Sequence, residues 1–108
     1  MTGSRRSEGA CAVAVVQLEH PIHDFDTWKA AFDRDPIRRE ASGVRRYEIY
    51  RPIDDPRYIA VDLEFASRDQ AETFVTALEA LWRSPQAAPA LGGTPRVRIV
   101  DVVESRRY

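Results

Sequence analysis

Several features that mark common functional classes are missing from this chain of 108 residues. Its one cysteine, Cys11, excludes an internal disulfide and a multi-cysteine metal site. Its 16 basic and 17 acidic side chains leave a formal net charge of −1, whereas binders of nucleic acid or membrane surfaces need a strong positive field. No apolar run approaches the roughly 20 residues of a transmembrane helix. We therefore expect neither nucleic acid nor a membrane among its partners.

Catalytic signatures are also scarce. The chain contains no Gly-rich phosphate loop, no nucleophile elbow and no paired cysteines, which excludes the enzyme classes that these motifs mark. It has no asparagine, and its two histidines are His20 and His23. Any site must therefore be inferred from where the fold brings ordinary side chains together.

The length predicts a single domain. We expect a disordered lead at residues 1–10, one folded domain at 11–104 and a short tail at 105–108. The start of the chain lacks the cleavage-type segment of a signal peptide, and a lone cysteine is typical of reducing compartments. We therefore expect a cytoplasmic protein.

The clearest pattern is the alternation of apolar with polar or small residues from Tyr58 to Phe65. A period of two places one set of apolar side chains on a single face of a strand: Ile59, Val61, Leu63 and Phe65. The opposite face carries Asp62 and Glu64, and must meet water, a cavity or a partner chain.

Strands are also predicted at residues 12–19, 44–51 and 96–104, where apolar and β-branched residues recur. The second and third strands form a hairpin with a loop of roughly five residues. If the two arginines that flank this loop lie opposite each other, Tyr50 pairs with Tyr58 and Arg46 pairs with Asp62. This register keeps the apolar residues of both strands on one face.

Two amphipathic helices separate the strands. Asp24 or Asp26 can cap the first, and a shorter helical piece is predicted to run on to Gly43, which suits a left-handed helix end. Ser67 opens a capping box for the second helix, which ends before Pro85. Residues 87–95 are predicted to be a loop.

The order βαββαβ predicts an α+β fold of the ferredoxin-like type, in which a four-stranded antiparallel sheet of order 4-1-3-2 carries both helices on one face. The other face mixes valines and tyrosines with acids and arginines. It is too polar for a second core and too apolar for plain exposure to solvent. A second copy of the chain packed on this face explains the mixture, so we expect a homodimer.

Residues 12–104 resemble the dimeric α+β barrel superfamily, which includes antibiotic-biosynthesis-type monooxygenases, small polyketide cyclases and haem-degrading monooxygenases. The resemblance rests on the element order, on Glu19-His20-Pro21 before a helix with Trp28, and on the segments 43–47 and 61–65. It is strongest to a branch of small proteins with no assigned reaction. It implies two facing sheets and a pocket between sheet and helices in each subunit. The asparagine that the haem-degrading members use is missing, so we expect no haem cleavage. The cofactor-independent oxygenases also use an asparagine that this chain lacks. We expect no cofactor.

His20 and Asp62 are the candidate catalytic residues. His20 follows Glu19 at a predicted strand end, where a carboxylate can tune the pKa of a general base. The more common role of a lone histidine before a proline is to cap a loop. Asp62 and Arg46 can serve as base and oxyanion partner, but we favour a plain cross-strand ion pair contributing under about 1 kcal/mol.

The candidate ligand-binding residues are Trp28, Arg46, Tyr47 and Arg98. The aromatic rings suit a flat ligand, or else they belong to the core, which is the more common role. Arg46 or Arg98 would stabilise an enolate. The loop at 87–95 is either a pocket lid or an ordinary connector. We expect no metal site, because Pro21 breaks the spacing between His20 and His23 and no further histidine completes a set.

Two functions follow from these observations. One is a cofactor-independent monooxygenase or cyclase that acts on an aromatic or polyketide-like small molecule. The alternative is a ligand-binding or structural homodimer without a reaction, in which the acids and arginines only join two sheets. Paired carboxylates and filled space would favour the second function, and a pocket would favour the first.

Overall fold

The computed structural model describes residues 13–108. Along these residues the elements are β1 (Ala14–Pro21), α1 (Phe25–Asp33), β2 (Val44–Tyr50), β3 (Tyr58–Phe65), α2 (Arg68–Trp82), a 3₁₀ helix (Pro85–Ala90) and β4 (Arg96–Asp101). The predicted disordered lead and Cys11 lie outside the described residues.

Within residues 13–108 the four strands form one sheet of order β2-β3-β1-β4, with every neighbouring pair antiparallel. This is the predicted order 4-1-3-2, read from the other edge. The ferredoxin-like α+β fold is therefore confirmed. β1 is a central strand that pairs with β3 on one side and β4 on the other. The closed barrel needs a second copy of the chain and stays a prediction.

The core lies between one face of the sheet and the two long helices. Its buried side chains come from alternating positions of β1 and β3 and from the inner stripes of α1 and α2, among them Val16, Val61, Leu63, Phe65, Trp28, Phe74 and Leu78. The predicted alternation of β3 is confirmed. Burying one such side chain contributes roughly 1.5–3 kcal/mol, so this single layer accounts for the stability of the fold.

The register of the β2–β3 hairpin differs from the prediction. Tyr50 pairs with Ala60 and Arg46 pairs with Glu64, so the predicted pairs Tyr50–Tyr58 and Arg46–Asp62 are wrong. The strands stop at Tyr50 and resume at Tyr58, which makes the connection longer than expected. Prolines within residues 51–57 have no N–H group to donate to the ladder, which explains the wider loop. The observed register is shifted by an even number of residues from the predicted one. Such a shift leaves each side chain on the same face of the sheet, so the residues predicted to face the core still face it.

The helix starts agree with the sequence. The Asp24 carboxylate accepts a 2.8 Å hydrogen bond from Thr27 N, and the Ser67 hydroxyl accepts a 3.2 Å bond from Gln70 N. Each side chain thereby satisfies one of the free N–H groups at its helix end.

The chain after α1 does not continue as a helix. Residues 34–43 form successive turns, with positive φ at Asp35 (52°), Arg38 (60°) and Gly43 (104°). The predicted helical piece is therefore wrong, although the left-handed conformation of Gly43 is confirmed. Proline disfavours helical geometry in the residue before it, and the Asp35 carboxylate instead accepts a 2.9 Å hydrogen bond from Arg39 N.

Candidate functional site

A cavity of about 150 Å³ lies between the sheet and the helices. The core-facing side chains of β1 and β3 line one side, α1 and α2 line two others, and the turn segment 34–39 and the 3₁₀ helix complete the wall. Most of the lining is apolar. The titratable and charged side chains that line it are His20, Arg34, Asp35 and Arg39.

His20 lies on the inner face of β1. The strand continues to Pro21, so the alternation that buries Val16 and Leu18 reaches His20 as well, and its exposed fraction is only 2%. The predicted strand at 12–19 ended one residue before His20, which is wrong. One further step of the period-two pattern would have placed it on the buried face.

The hydrogen bonding of His20 defines its tautomer. Its Nδ1 lies 2.8 Å from the carbonyl oxygen of Pro21. A carbonyl oxygen only accepts hydrogen bonds, so Nδ1 carries the proton and Nε2 carries a lone pair. Nε2 has no hydrogen-bond partner among the described side chains. The imidazole is thus oriented as a base, with its acceptor nitrogen free.

Burial also controls the charge of His20. Desolvation lowers its pKa below the ordinary value of 6.5, because a buried imidazolium loses its hydration. The hydrogen bond to the Pro21 carbonyl opposes this shift but is the smaller effect. His20 is therefore neutral at neutral pH and able to accept a proton.

Two tryptophans lie on either side of His20. The ring centroids of Trp28 and Trp82 are each 6.4 Å from the imidazole centroid, and both pairs are edge-to-face. Trp28 also stacks on Phe32, with a centroid distance of 5.1 Å. Trp28 is buried in the core and lines the cavity as well. Its role in binding a ligand stays a prediction.

The segment between α1 and β2 contributes wall residues that the sequence analysis missed. The Arg39 guanidinium lies 3.8 Å from the centre of the Phe32 ring and donates a 2.8 Å hydrogen bond to the Phe32 carbonyl oxygen. It also forms an ion pair of 3.4 Å with Asp35. This segment consists mostly of charged and turn-forming residues and shows no hydrophobic periodicity. The sequence therefore could not predict these contacts.

The 3₁₀ helix covers another side of the cavity through Ala87, Ala90 and the following Leu91. The predicted loop at 87–95 is therefore partly helical. Its end is held down where Gly92 N donates a 2.9 Å hydrogen bond to the carbonyl oxygen of Pro21. A Cβ built on Gly92 would lie 2.8 Å from the Ile22 carbonyl carbon, so this close approach requires glycine.

The other candidate residues lie elsewhere. Asp62, Arg46 and Arg98 are on the face of the sheet opposite to His20, which we call the open face. Tyr47 is on the core side but half-exposed, and packs edge-on against Phe32 at 5.0 Å rather than lining the cavity. The sheet thus separates His20 and Trp28 from the acid and the arginines that the sequence analysis grouped with them.

The carboxylates of the open face are paired with neighbouring side chains. Arg46 contacts Glu48 at 3.3 Å and Glu64 at 3.8 Å, in place of the predicted pair with Asp62. The Tyr50 hydroxyl lies 2.9 Å from Glu48 and 3.2 Å from Asp62, and the hydrogen bond to Glu48 is the largest cause that raises the pKa of Tyr50 to about 12.

A second tyrosine–carboxylate pair lies on the open face between two strands. The Tyr58 hydroxyl donates a 2.6 Å hydrogen bond to Glu19, which raises the pKa of Tyr58. Arg98 donates a 3.3 Å hydrogen bond to Gln17. This face therefore consists of matched polar pairs rather than a constellation of free acids and bases.

No group of three or more His, Cys, Asp or Glu side chains within residues 13–108 is placed to hold a metal ion. His23 is exposed and Asp24 is engaged in capping α1. In the same range, no helix combines the length and the apolar character that crossing a bilayer demands.

Solved structures share this architecture at low sequence identity. SnoaB, a cofactor-independent oxygenase from Streptomyces nogalater, is 15% identical, with a TM-score of 0.64 over 90% of this chain and 96% of that chain. A dimeric ferredoxin-like protein from an uncultured marine organism is 10% identical, with a TM-score of 0.64 over 88% and 99% of the two chains. A provisionally named antibiotic biosynthesis monooxygenase from Caulobacter crescentus CB15 is 17% identical, with a TM-score of 0.63 over 92% and 97%.

The chain shares the ferredoxin-like α+β fold of these solved structures. At such identities the likeness concerns the fold alone, and at this level it agrees with the resemblance noted in the sequence. No protein-family model and no curated protein matches the sequence. Any function must therefore be inferred from the chain's own residues.

Proposed function

We propose that this protein is a cofactor-independent oxygenase or cyclase that acts on an aromatic small molecule bound in the cavity, with His20 as the general base. The observation that carries the proposal is the neutral, buried imidazole of His20, whose Nδ1 is bound to Pro21 O and whose Nε2 has no hydrogen-bond partner among the described side chains. A solved structure of the same fold, SnoaB, is a cofactor-independent oxygenase, which supports this reaction class.

The chemistry follows from general acid–base principles. His20 Nε2 takes the proton of an aromatic hydroxyl, which leaves an electron-rich phenolate. In the oxygenase case, molecular oxygen is the oxidant and forms a C–O bond at a ring carbon that bears hydrogen. The imidazolium returns its proton to the distal oxygen, and the resulting hydroperoxide loses water, which breaks the O–O bond and leaves a carbonyl. A phenol and O2 thus become a quinone and water.

A substitution that retains size and hydrogen bonding but removes proton transfer tests this role. We expect His20→Gln to lower the rate of O2 consumption with phenols or hydroquinones by about 10²–10⁴-fold. His23→Gln changes the exposed histidine and should leave the rate unchanged. An unchanged rate in His20→Gln, with the variant folded by circular dichroism, would remove His20 from the reaction.

The alternative, a binding dimer without a reaction, is favoured by one observation: the carboxylates of the open face are already paired. We infer that this face meets a second copy of the chain, and a solved structure of the same fold is described as a dimeric ferredoxin-like protein. Val15 and Val100 lie side by side on it and are half-buried in the single chain. Paired polar groups and small apolar patches suit a self-complementary contact.

Sedimentation tests the dimer independently of the reaction. We expect wild type to sediment as a dimer at micromolar concentration and Val15→Arg to sediment as a monomer, because the arginine would place an unpaired charge in the contact. Ile53→Arg is the matched control, since Ile53 is fully exposed at the hairpin tip. A monomeric wild type would refute the homodimer.

A further inference from the structure

The size of the cavity suits one aromatic ring. A cavity of about 150 Å³ lined by apolar side chains is the size that holds a benzene molecule in a protein core. Part of its wall is held in place, since Gly92 is hydrogen-bonded to Pro21 and packs closely on Ile22. A second fused ring therefore has less room inside the cavity than a single ring.

The polarity of the cavity restricts the group that such a ring must carry. Among the described residues, His20 is the one buried polar or charged side chain. Because its Nδ1–H is directed to the Pro21 carbonyl, the nitrogen left for a ligand is an acceptor. A hydroxyl group can donate to Nε2, whereas an ether, a ketone or a carboxylate has no hydrogen to offer.

The two tryptophans make the space beside His20 suitable for a ring. Both indoles meet the imidazole edge-to-face, at interplanar angles of 64° and 74°. Aromatic pairs favour such edge-to-face and offset contacts over plain apolar contact. A flat ligand that reaches Nε2 would therefore contact aromatic rings next to its hydroxyl group.

We infer that the cavity selects a single-ring phenol whose hydroxyl donates to His20 Nε2, in preference to fused-ring aromatics and to rings without a hydrogen-bond donor. This inference rests on the proposed function, because it names the substrate class of the same site. It narrows the aromatic or polyketide-like substrate expected from the sequence to its monocyclic members.

Three probes test size and donor separately: phenol, anisole and 1-naphthol. Binding is measured by calorimetry and by the NMR signals of the two indole N–H groups, since Trp28 and Trp82 are the chain's two tryptophans and both line the cavity. We expect phenol to bind at least tenfold more tightly than anisole, because a buried acceptor left without a donor is costly. We expect 1-naphthol to bind more weakly than phenol.

The order of phenol and 1-naphthol is diagnostic, because greater apolar area alone would make 1-naphthol the tighter ligand. Equal or tighter binding of 1-naphthol would overturn the size limit, and equal binding of anisole would overturn the donor requirement. In His20→Leu the preference for phenol over anisole should disappear, and in His23→Leu it should persist. The wild-type series is decisive even where His20→Leu does not fold.

Oxygen consumption separates this inference from the reaction. The predicted binding order together with no turnover of phenols or hydroquinones would refute the oxygenase and support the ligand class. Turnover with a reversed binding order would support the oxygenase and refute the ligand class.

Discussion

The backbone N–H of Gly92 and the imidazole Nδ1–H of His20 donate to the same acceptor, the carbonyl oxygen of Pro21, at 2.9 Å and 2.8 Å. One bond holds the end of the segment that covers the cavity, and the other fixes the proton on His20. The cover of the cavity and the tautomer of its base are therefore linked through a single backbone atom. A carbonyl oxygen has two lone pairs and can accept both bonds.

We predict that Gly92→Ala separates this segment from β1. The added Cβ would lie 2.8 to 3.0 Å from backbone atoms of Ile22, which cannot move aside as a side-chain end can. We expect a loss of about 1–3 kcal/mol in the free energy of unfolding, measured by chemical denaturation. NMR of the His20 ring nitrogens should show a mixture of tautomers.

Gly93→Ala is the matched control for this change. Its Cβ would meet ring atoms of the Pro21 side chain at 3.0 to 3.6 Å, a milder contact. We expect a smaller loss of stability and a single His20 tautomer. If both variants lose the same stability and keep one tautomer, the shared carbonyl does not link the segment to the base.

We predict that His20 makes the protein less stable in mild acid. Its folded pKa lies below the ordinary value, so between the two pKa values the unfolded chain binds more protons, and stability falls as the pH drops from about 6.5 through the folded pKa. Arg34, Asp35 and Arg39 are the other charged groups that line its cavity.

Denaturation midpoints from pH 7.5 to pH 5 check this expectation. His20→Gln removes the titrating group and should flatten the curve in this window, whereas His23→Gln should follow wild type. A curve for His20→Gln that runs parallel to wild type would assign the acid sensitivity to other groups.

We predict that Arg39 stabilises the wall of the cavity. Arg39→Lys removes the planar contact with the Phe32 ring and the hydrogen bond to the Phe32 carbonyl, which an ammonium cannot reproduce together. We expect a loss of about 1 kcal/mol in the free energy of unfolding. Arg38→Lys, on an exposed side chain one residue earlier, should change stability by less than about 0.5 kcal/mol. Equal effects from the two variants would show that the Phe32 contacts contribute nothing.

We predict that the open face and the cavity act independently. Asp62→Asn and Arg98→Gln alter side chains on the far side of the sheet from His20, so the phenol dissociation constant should stay within about twofold of wild type. Trp82→Leu removes a ring beside His20 and should weaken phenol binding measurably. Loss of phenol binding in Asp62→Asn would contradict this prediction and show that the Asp62 carboxylate contributes to binding.

Much of the fold could be predicted from the sequence because its signals are local. The alternation in β3 and the caps at Asp24 and Ser67 depend on near neighbours in the chain. The hairpin register could not be read in this way, because the ends of β2 and β3 are decided by prolines and by pairing across the sheet.

The site was less predictable because it is tertiary. Trp28 and His20 were identified as candidates, but the strand that buries His20 was ended too early. The turns at 34–43 depend on contacts of Arg39 with Phe32 and Asp35, and local propensity contains no trace of them. The sequence suggested that His20 acts together with Asp62, Arg46 and Arg98. The sheet separates His20 from these three residues, which the sequence alone could not show.

The position of His20 on a central strand determines how a ligand can enter. β1 is hydrogen-bonded to a neighbour on each side, so its amides should exchange with deuterium only when the whole domain opens. The turns at 34–43 lack such flanking ladders, and we expect them to open at lower cost. A ligand should therefore enter and leave past these turns, while His20 stays fixed on its strand.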